Sequence, residues 1–433
     1  MPDGLLRKKI TFDFLMLIYI ITIVMKKIIL FITAFLFLSS EVDLIKINFL
    51  NFSQNLTSVE LLILTFILFF CFYLIINFKK FNLKDFFSIY KNFLIISLIF
   101  ILIGFVSSIL SPVEKIYPFK YLIRYFLFIL TAWLLTFIIY SNKQLKNYFL
   151  LSIFYFGLLL SIIAFFEVIN NDFATFLANI FRDGKSVYIN NKLRPAATLT
   201  HSNIFACFLG ISIICGLKLL FENVINKRVF YIILSFILIA FSLSSSRNAI
   251  FSFLLTLFLL LLNKKYVKTI LVIAFIFILS YFIFSPSKSR ISEVKTQSSI
   301  SRILLSKTSL NIFLHYPWFG VGPGCFNRLL IKYAPQELLE TEEQNIKNSA
   351  LNAHNGFFNV LAEFGIFGIS VILLFFILYL IIFIKNNRLF PISFNFSLLS
   401  IISLPFVADA FFYSYFYMII FLTLLFLLLQ KDF

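Results

Sequence analysis

The chain has 433 residues, of which 61% are hydrophobic and 13% charged, and its mean hydropathy is +1.00. This leaves too little polar surface for a globular protein in water, so the exterior must face lipid. The net charge of +18 does not indicate a nucleic-acid partner, because cytoplasmic loops and membrane lipids explain most of it. Apolar runs of about 20 residues recur along the chain. We therefore predict an all-α polytopic membrane protein of about 12 transmembrane helices, with one large loop on the non-cytoplasmic side that contains short interfacial helices.

The first predicted helix is irregular. Lys26 and Lys27 divide the apolar run from Phe12 to Leu38, so this helix is either a retained anchor or partly interfacial, and translation could instead start at Met25. The other spans are predicted at 59–77, 93–110, 121–140, 148–168, 203–221, 229–245, 249–262, 269–285, 357–384, 392–408 and 411–429. The predicted domains are 1–285, about nine transmembrane helices, 286–356, the large non-cytoplasmic loop, which is periplasmic in a bacterial inner-membrane protein, and 357–433, the C-terminal helices.

Basic residues indicate on which side each loop lies. The connections that carry them fall on alternate turns, as expected of cytoplasmic loops. These residues are Lys79, Lys80, Lys84, Lys143, Lys146, Lys227, Arg228, Lys264, Lys265, Lys268, Lys385 and Arg388. Both termini are then cytoplasmic, and the opposite face receives 41–58, 111–120, 169–202, 244–247 and 285–355. The unusual polar residues gather on that face.

Arg194 is the first of these residues. It lies in the segment from Lys192 to Asn203, directly before a predicted span, where a charge is costly unless it is used. Its guanidinium could bind a phosphate through two parallel hydrogen bonds, and the next helix, with Asn203 as its cap, would add positive dipole. The alternative is an interfacial arginine that contacts lipid headgroups.

Arg247 stands in a tight turn, Ser244–Asn248, between two apolar runs. The turn holds its charge close to the hydrocarbon, so we expect the side chain to be buried in the helix bundle. Substrate binding and a structural role, in which it hydrogen-bonds the last carbonyls of a helix, are equally compatible with this position.

Arg302 opens an amphipathic segment that extends to His315. The apolar residues near one helical face of this segment are Ile303, Leu310, Phe313 and Leu314. Such a face is typical of a helix that lies at the membrane surface. Pro317 ends the helix, and the glycines of 320–324 predict a turn beside Trp318 rather than an anion site.

His354 lies at the end of the large loop, where Ala353-His354-Asn355-Gly356 leads into a predicted span. An imidazole titrates in a range suited to taking a proton from a hydroxyl, so a histidine at the membrane surface is a candidate general base. A histidine in a loop is more often simply solvated. Its position alone does not decide between these interpretations.

Together these residues carry a resemblance that covers about residues 190–385. Its parts are Arg194 with Thr200-His201-Ser202-Asn203, Ser246-Arg247 between spans, Arg302 at the head of an interfacial helix, the Pro317–Gly324 stretch, Ala362-Glu363-Phe-Gly365, and His354-Asn355 followed after nine residues by Gly365-Ile-Phe-Gly368. In this pattern the chain resembles the superfamily of O-antigen ligases and O-antigen polymerases, bacterial transferases of lipid-linked glycans.

The resemblance implies a metal-independent membrane glycosyltransferase without a cofactor, with its active site facing the periplasm at the bacterial inner membrane. Its partners would be an undecaprenyl-diphosphate-linked glycan donor, a lipid A core or other glycan acceptor, and membrane lipids. By the same likeness, Arg194 and Arg302 would hold the donor diphosphate, and His354 would be the catalytic base that activates the acceptor hydroxyl. The further substrate-binding residues would be Arg247, His201 and Asn355.

Four activities fit the resemblance or the topology. A ligase moves a finished glycan to lipid A core, a polymerase joins two lipid-linked repeat units, and a protein O-oligosaccharyltransferase is a third member. The spacing from His354-Asn355 to the glycines favours the ligase. A non-enzymatic flippase of lipid-linked oligosaccharides would instead distribute its charges through the bundle. Segment 285–355 departs from the family pattern in its length and its acidic residues near 337–343, which leaves the acceptor open.

Overall fold

The computed structural model describes most of the chain. The described residues are 43–49, 52–57, 63, 67, 83–141, 143–182, 187–189, 192–261, 266–285, 297–341, 353, 355–386 and 415–427. The predicted first helix with its alternative start at Met25, the predicted span 392–408, nearly all of the span 59–77, and His354 lie outside these residues.

The described residues form mostly α-helices. Their bounds are α1 Leu83–Leu110, α2 Ile116–Ser141, α3 Lys143–Ile169, α4 Asn171–Phe181, α5 Ser202–Phe221, α6 Lys227–Ser244, α7 Arg247–Leu261, α8 Val267–Phe284, α9 Gln297–His315, α10 Phe326–Tyr333, α11 Gln336–Thr341, α12 Gly356–Asn386 and α13 Tyr415–Leu427. In the described part of the chain, seven helices are long and apolar enough to cross a membrane, and α7 is apolar but shorter. The predicted spans from 93 to 285 and at 357–384 each fall on one of these helices, whereas the total of about 12 stays a prediction.

Two small β-hairpins accompany the helices, and the described residues are otherwise mostly helical, as predicted. β1, Asp43–Phe49, pairs antiparallel with β2, Phe52–Thr57, and β3, Val187–Ile189, pairs with β4, Lys192–Arg194. Both hairpins lie in segments that were predicted to be loops. The first carries the alternation of apolar and polar residues that is typical of a strand, which the long apolar runs around it obscured.

The helices pack in two groups, which contact each other through α2 and α3. In the first group, α1 packs against α2 and α12, and α13 packs against α2, where Trp133 stacks on Phe426 with ring centres 3.9 Å apart. In the second, α5 packs against α3, α6 and α7, and α8 packs against α6. α5 lies at the centre of this group, because its residues are buried from Ser202 to Leu220.

Large apolar side chains on the outside of both groups are suited to lipid. Leu98 of α1, Phe251 of α7 and Phe275 of α8 are each more than 60% exposed, which would be costly in water over so wide a surface. A helical protein whose exterior is apolar across several spans is therefore confirmed as the architecture. The side of the membrane on which each loop lies stays a prediction.

One end of the bundle carries β3, β4 and the helices α4, α9, α10 and α11, and we call it the loop face. It includes 111–115, 245–246 and the described residues of 170–201 and 285–355, among them α9, α10 and α11. α9 packs against α10, α11 and α12, so short helices do occur in the predicted large loop. Basic residues such as Lys146, Lys227 and Lys268 lie at the opposite end, as the positive-inside rule expects of a cytoplasmic face.

Candidate functional site at the loop face

Arg194 ends β4 and is only 8% exposed. Its Nε–H donates to the carbonyl oxygen of Ser244 at 2.7 Å, and its Nη2 donates to Oδ1 of Asn203 at 3.0 Å. A positive charge at the last carbonyl of α6 is stabilised by the negative end of the helix dipole. Arg194 therefore joins the end of α6 to the beginning of α5. We call Arg194, His201, Asn203 and Ser244 the Arg194 corner.

Arg247 differs from its prediction. We expected it to be buried, with capping of helix carbonyls as one of two possible roles, but it is exposed and begins α7, while Arg194 caps α6. The reason lies in Ser245, which adopts a left-handed conformation at φ 51° and so ends α6. The chain then turns within two residues and presents Arg247 at the first turn of the next helix.

His201, and not Asn203, caps α5. Nδ1 of His201 accepts a hydrogen bond from the backbone N–H of Asn203 at 3.1 Å. Asn203 was predicted as the cap, but it lies inside the first turn, where its side chain accepts from Arg194. With Nδ1 as acceptor, a neutral His201 ring carries its proton on Nε2.

A buried ion pair, which the sequence analysis did not single out, supports the same corner. Arg182 Nη2 lies 2.7 Å from Glu167 Oε1, and both side chains are almost wholly buried. Oε2 of Glu167 accepts from the N–H groups of Ala196 and Ala197 at 3.2 and 2.9 Å. These bonds hold Ala197 at a φ of 52°, which residues other than glycine rarely adopt. The pair therefore fixes the path of the chain between β4 and α5.

Arg302 lies on α9, the predicted interfacial helix, and is half-buried. On the same helix Ile303, Leu310 and Leu314 are exposed by 60%, 40% and 72%, whereas Leu304 and Leu305 are buried. The exposed residues recur at helical spacing, with the exposed Lys307 between them. α9 therefore has a largely apolar exposed face, as expected of a helix at a membrane surface. Phe313, which was predicted on that face, is half-buried.

α12 is interrupted at Gly365, whose φ of 64° and ψ of −159° are not helical. The interruption lies level with the last turn of α1, which ends at Leu110, because Ser107 Oγ–H donates to the carbonyl of Glu363 at 2.9 Å. Backbone groups that lose their helical partners at membrane depth must bond to protein, since lipid offers none. The span that was predicted to begin near 357 is thus a helix in two pieces.

The segment after α9 supplies the missing partners. The main-chain bonds run from Val321 N–H to Ala362 O (3.0 Å), from Gly322 N–H to Glu363 O (3.0 Å), from Ile366 N–H to Pro317 O (2.8 Å) and from Phe367 N–H to Trp318 O (3.3 Å). The predicted turn at 320–324 therefore also replaces part of the hydrogen bonding of a helix.

Two glycines allow this close contact, which we call the Gly320–Gly365 junction. A Cβ atom on Gly320 would overlap the backbone of Glu363, and one on Gly365 would overlap the carbonyl of Trp318. Both glycines also have φ above +60°, where an L side chain is strained. Only glycine fits either position without displacing the partner segment.

The side chain of Glu363 is buried below this junction. Its Oε1 accepts from the N–H of Phe326 at 3.3 Å, at the first turn of α10. Burial, and after it the charge of Glu363, raises the pKa of the Cys325 thiol to about 12. Cys325 is therefore protonated at neutral pH and is not a nucleophile.

Asn355 caps α12. Its Oδ1 accepts from the N–H groups of Phe357 at 2.9 Å and Phe358 at 3.3 Å. Ala353 is buried and belongs to the same apolar cluster as Leu304 and Leu305 of α9. His354 stands between these two residues and lies outside the described residues, so its role as a base stays a prediction.

The structure brings some predicted residues together and not others. Arg194, His201 and Asn203 share the Arg194 corner, and Arg247 follows Ser244 by three residues. Arg302 and Asn355 belong instead to the neighbouring helices α9 and α12. The predicted site is thus divided between the two helix groups, both at the loop face.

Residues 230–373 match the family model described as O-antigen ligase. The match begins in α6 and ends in α12, and it includes Arg247, Arg302, His354 and Asn355. No curated protein matches the chain. The match confirms the resemblance of this segment to the O-antigen ligase superfamily.

Proposed function

We propose that this chain, of the O-antigen ligase superfamily by its residues 230–373, transfers a glycan from undecaprenyl diphosphate to a sugar hydroxyl of an acceptor at the periplasmic face of the inner membrane. Ligation of O-antigen to lipid A core is the form of this activity that we favour. The observation that carries the proposal is the family match, because it includes two arginines and a histidine whose chemistry suits such a transfer.

The first requirement of the reaction is a site for the donor diphosphate. At the loop face Arg247 is exposed and Arg302 is half-buried. Planar guanidinium groups bind phosphate oxygens through paired hydrogen bonds. Arg194 bonds to Ser244, three residues before Arg247. Its contacts support a positioning role, in which it holds the turn that presents Arg247, beside or instead of direct contact with the diphosphate.

The second requirement is removal of a proton from the acceptor. The acceptor hydroxyl oxygen forms a bond to the anomeric carbon while the bond from that carbon to the diphosphate oxygen breaks with inversion. The hydroxyl proton passes to His354, and undecaprenyl diphosphate leaves with the bonding electron pair. The arginines stabilise the negative charge that develops on it. In this proposal the arginines take the place that a bound metal ion occupies in other transferases.

Substitution of His354 tests the assignment of the base. We expect His354→Ala to lower the transfer rate by about 10²- to 10⁴-fold, which is the usual contribution of a general base. The measurement is transfer from undecaprenyl-diphosphate-linked glycan to lipid A core by purified protein in lipid. His201→Ala is the matched control, since His201 caps α5 through Nδ1 and should affect stability more than proton transfer. Transfer by His354→Ala at the wild-type rate, with normal protein abundance, would show that the base is elsewhere.

The cellular phenotype of a deletion separates the activities within the superfamily. Loss of a ligase should leave polymer on the carrier lipid and core without O-antigen. Loss of a polymerase should leave core that bears a single repeat unit. A flippase would give no transfer in the purified system at all.

A further inference from the structure

A second group of cations lies at the loop face, away from the Arg194 corner. The guanidinium carbon of Arg328, on α10, lies 4.0 Å from the centre of the Tyr117 ring on α2. That of Arg124, on α2, lies 5.3 Å from the centre of the Tyr121 ring. Tyr117, Tyr121 and Arg124 are four and three residues apart in sequence and so share one face of α2. We call these four residues the α2–α10 basic group.

The position of these arginines is unusual for a membrane protein. Loops and helix ends on the non-cytoplasmic side are ordinarily poor in Lys and Arg. Arg124 lies two turns inside the candidate span Ile116–Tyr140, where a charged side chain is costly and generally serves a function. Arg328 is exposed on α10. The guanidinium of Arg124 is therefore better explained by a ligand than by topology, and that of Arg328 is accessible to the same ligand.

Nearby charges leave the group net positive. Lys115 donates to the carbonyls of Ile109 and Ser111 at the end of α1, so it acts as a helix cap. Glu363 is a nearby carboxylate, because its buried side chain accepts from the N–H of Phe326, two residues before Arg328. The group thus has two cations with one buried carboxylate beside it.

Stacking on a tyrosine leaves an arginine well suited to bind an oxyanion. The contact between the guanidinium plane and the ring uses the face of the cation, whereas its N–H groups point outward in the plane. The ring also limits the rotamers of the side chain, so less entropy is lost when it binds. The guanidinium carbon of Arg328 lies over the Tyr117 ring at an exposed position, which is compatible with this arrangement.

We propose that the α2–α10 basic group binds a phosphate group carried by the lipid-anchored glycan acceptor. This inference rests on the proposed function, because a transfer between two lipid-anchored substrates needs a second site beside that of the donor. The group belongs to the helices α2 and α10, whereas the two arginines proposed for the donor, Arg247 and Arg302, belong to α7 and to α9, which packs against α10. Each substrate would then meet its own cations at the same face.

A binding experiment without transfer tests this inference. The full-length protein is placed in phosphatidylcholine nanodiscs, and its affinity is measured for rough lipopolysaccharide and for the same preparation after its phosphates are removed. Arg328→Gln should weaken binding of the phosphorylated form by about tenfold or more. It should leave binding of the dephosphorylated form, which is already weak, unchanged. Because Arg328 is exposed, this variant is expected to fold, and Arg124→Gln is the second variant.

Lys332→Gln is the matched control, since Lys332 is exposed one turn further along α10 and should bind as wild type. Three results would overturn the inference. The first is that wild type binds both preparations with the same affinity. The second and third are that Arg328→Gln loses as much affinity for undecaprenyl diphosphate, or for phosphatidylglycerol, as it loses for the phosphorylated lipopolysaccharide. The second would assign the group to the donor and the third to bulk lipid. Because no transfer is needed, a failure of the proposed function would appear separately, as binding without activity.

Discussion

The Arg194 corner and the Gly320–Gly365 junction both hold the loop face together, but by different means. The corner is built from side chains, in which a buried arginine and a buried ion pair bind helix ends and turns. The junction is built from main chain, in which glycines let one segment complete the hydrogen bonds of another. Side-chain contacts can be changed one at a time, whereas a main-chain junction without space for a Cβ atom is formed or lost as a whole.

The largest effect is expected at the junction. Gly365→Ala adds a Cβ atom that overlaps the carbonyl of Trp318, so the two segments must separate. The cost is about 1 kcal/mol for the left-handed backbone and about 1 kcal/mol for each displaced hydrogen bond. We expect a clear loss of thermal stability, measured in detergent by the fraction that remains monodisperse after heating.

Cys325 reports on the same change. Its pKa of about 12 keeps the buried thiol protonated, so Cys325 of the wild type should resist alkylation by iodoacetamide at pH 8. The measurement is mass spectrometry of the peptide that contains Cys325. Gly365→Ala should expose the thiol and speed its alkylation. Ser370→Ala is the control, because Ser370 is exposed on the same helix beyond the interruption. Full protection of Cys325 in Gly365→Ala would mean that the junction adapts, and the comparison would fail.

The next largest effect is expected at the ion pair. Glu167→Gln keeps the shape of the side chain but leaves Arg182 as a buried charge without its counter-ion, which typically costs about 3–5 kcal/mol. Adding Arg182→Gln removes that charge, and the double variant should recover part of the loss. The measurement is a double-mutant cycle of thermal stability. Additive losses would show that the two side chains do not depend on each other.

The smallest effect on stability is expected at Arg194. Arg194→Lys keeps the charge but cannot reach both Ser244 and Asn203 in the geometry of a guanidinium, so one hydrogen bond is lost, at about 1–2 kcal/mol. Transfer activity should fall more than stability, because the turn before Arg247 loosens. Arg228→Lys, an exposed change at the other end of α6, is the control. Wild-type transfer in Arg194→Lys would show that only its charge matters.

The sequence predicted the features that depend on local composition. The spans could be placed because apolar runs of bilayer length stand out, and Arg194 and Arg302 could be found because charges beside such runs are rare. The bond from Arg194 to Ser244 joins residues 50 apart, and no local pattern indicates it. Helix capping was therefore considered for Arg247, the nearer arginine, as one of two possible roles.

Two features had a signal that was not used. Glu167 ends an apolar run, and a carboxylate in that place needs a cation, which Arg182 provides. Gly365 was part of the family resemblance, but the apolar residues around it continue the pattern of an unbroken helix. Only the contact with residues 317–322 shows that the helix is interrupted.

The interruption at Gly365 gives the first piece of α12 a fixed length. Its residues from Gly356 to Phe364 span about 13 Å, at about 1.5 Å for each residue. Because the junction anchors its lower end and Asn355 caps its upper end, the number of residues in this piece sets the height of Asn355 above the anchor. Insertion of one helical turn would raise that height by about 5.4 Å. The height of Asn355 above the junction is thus set by a count of residues.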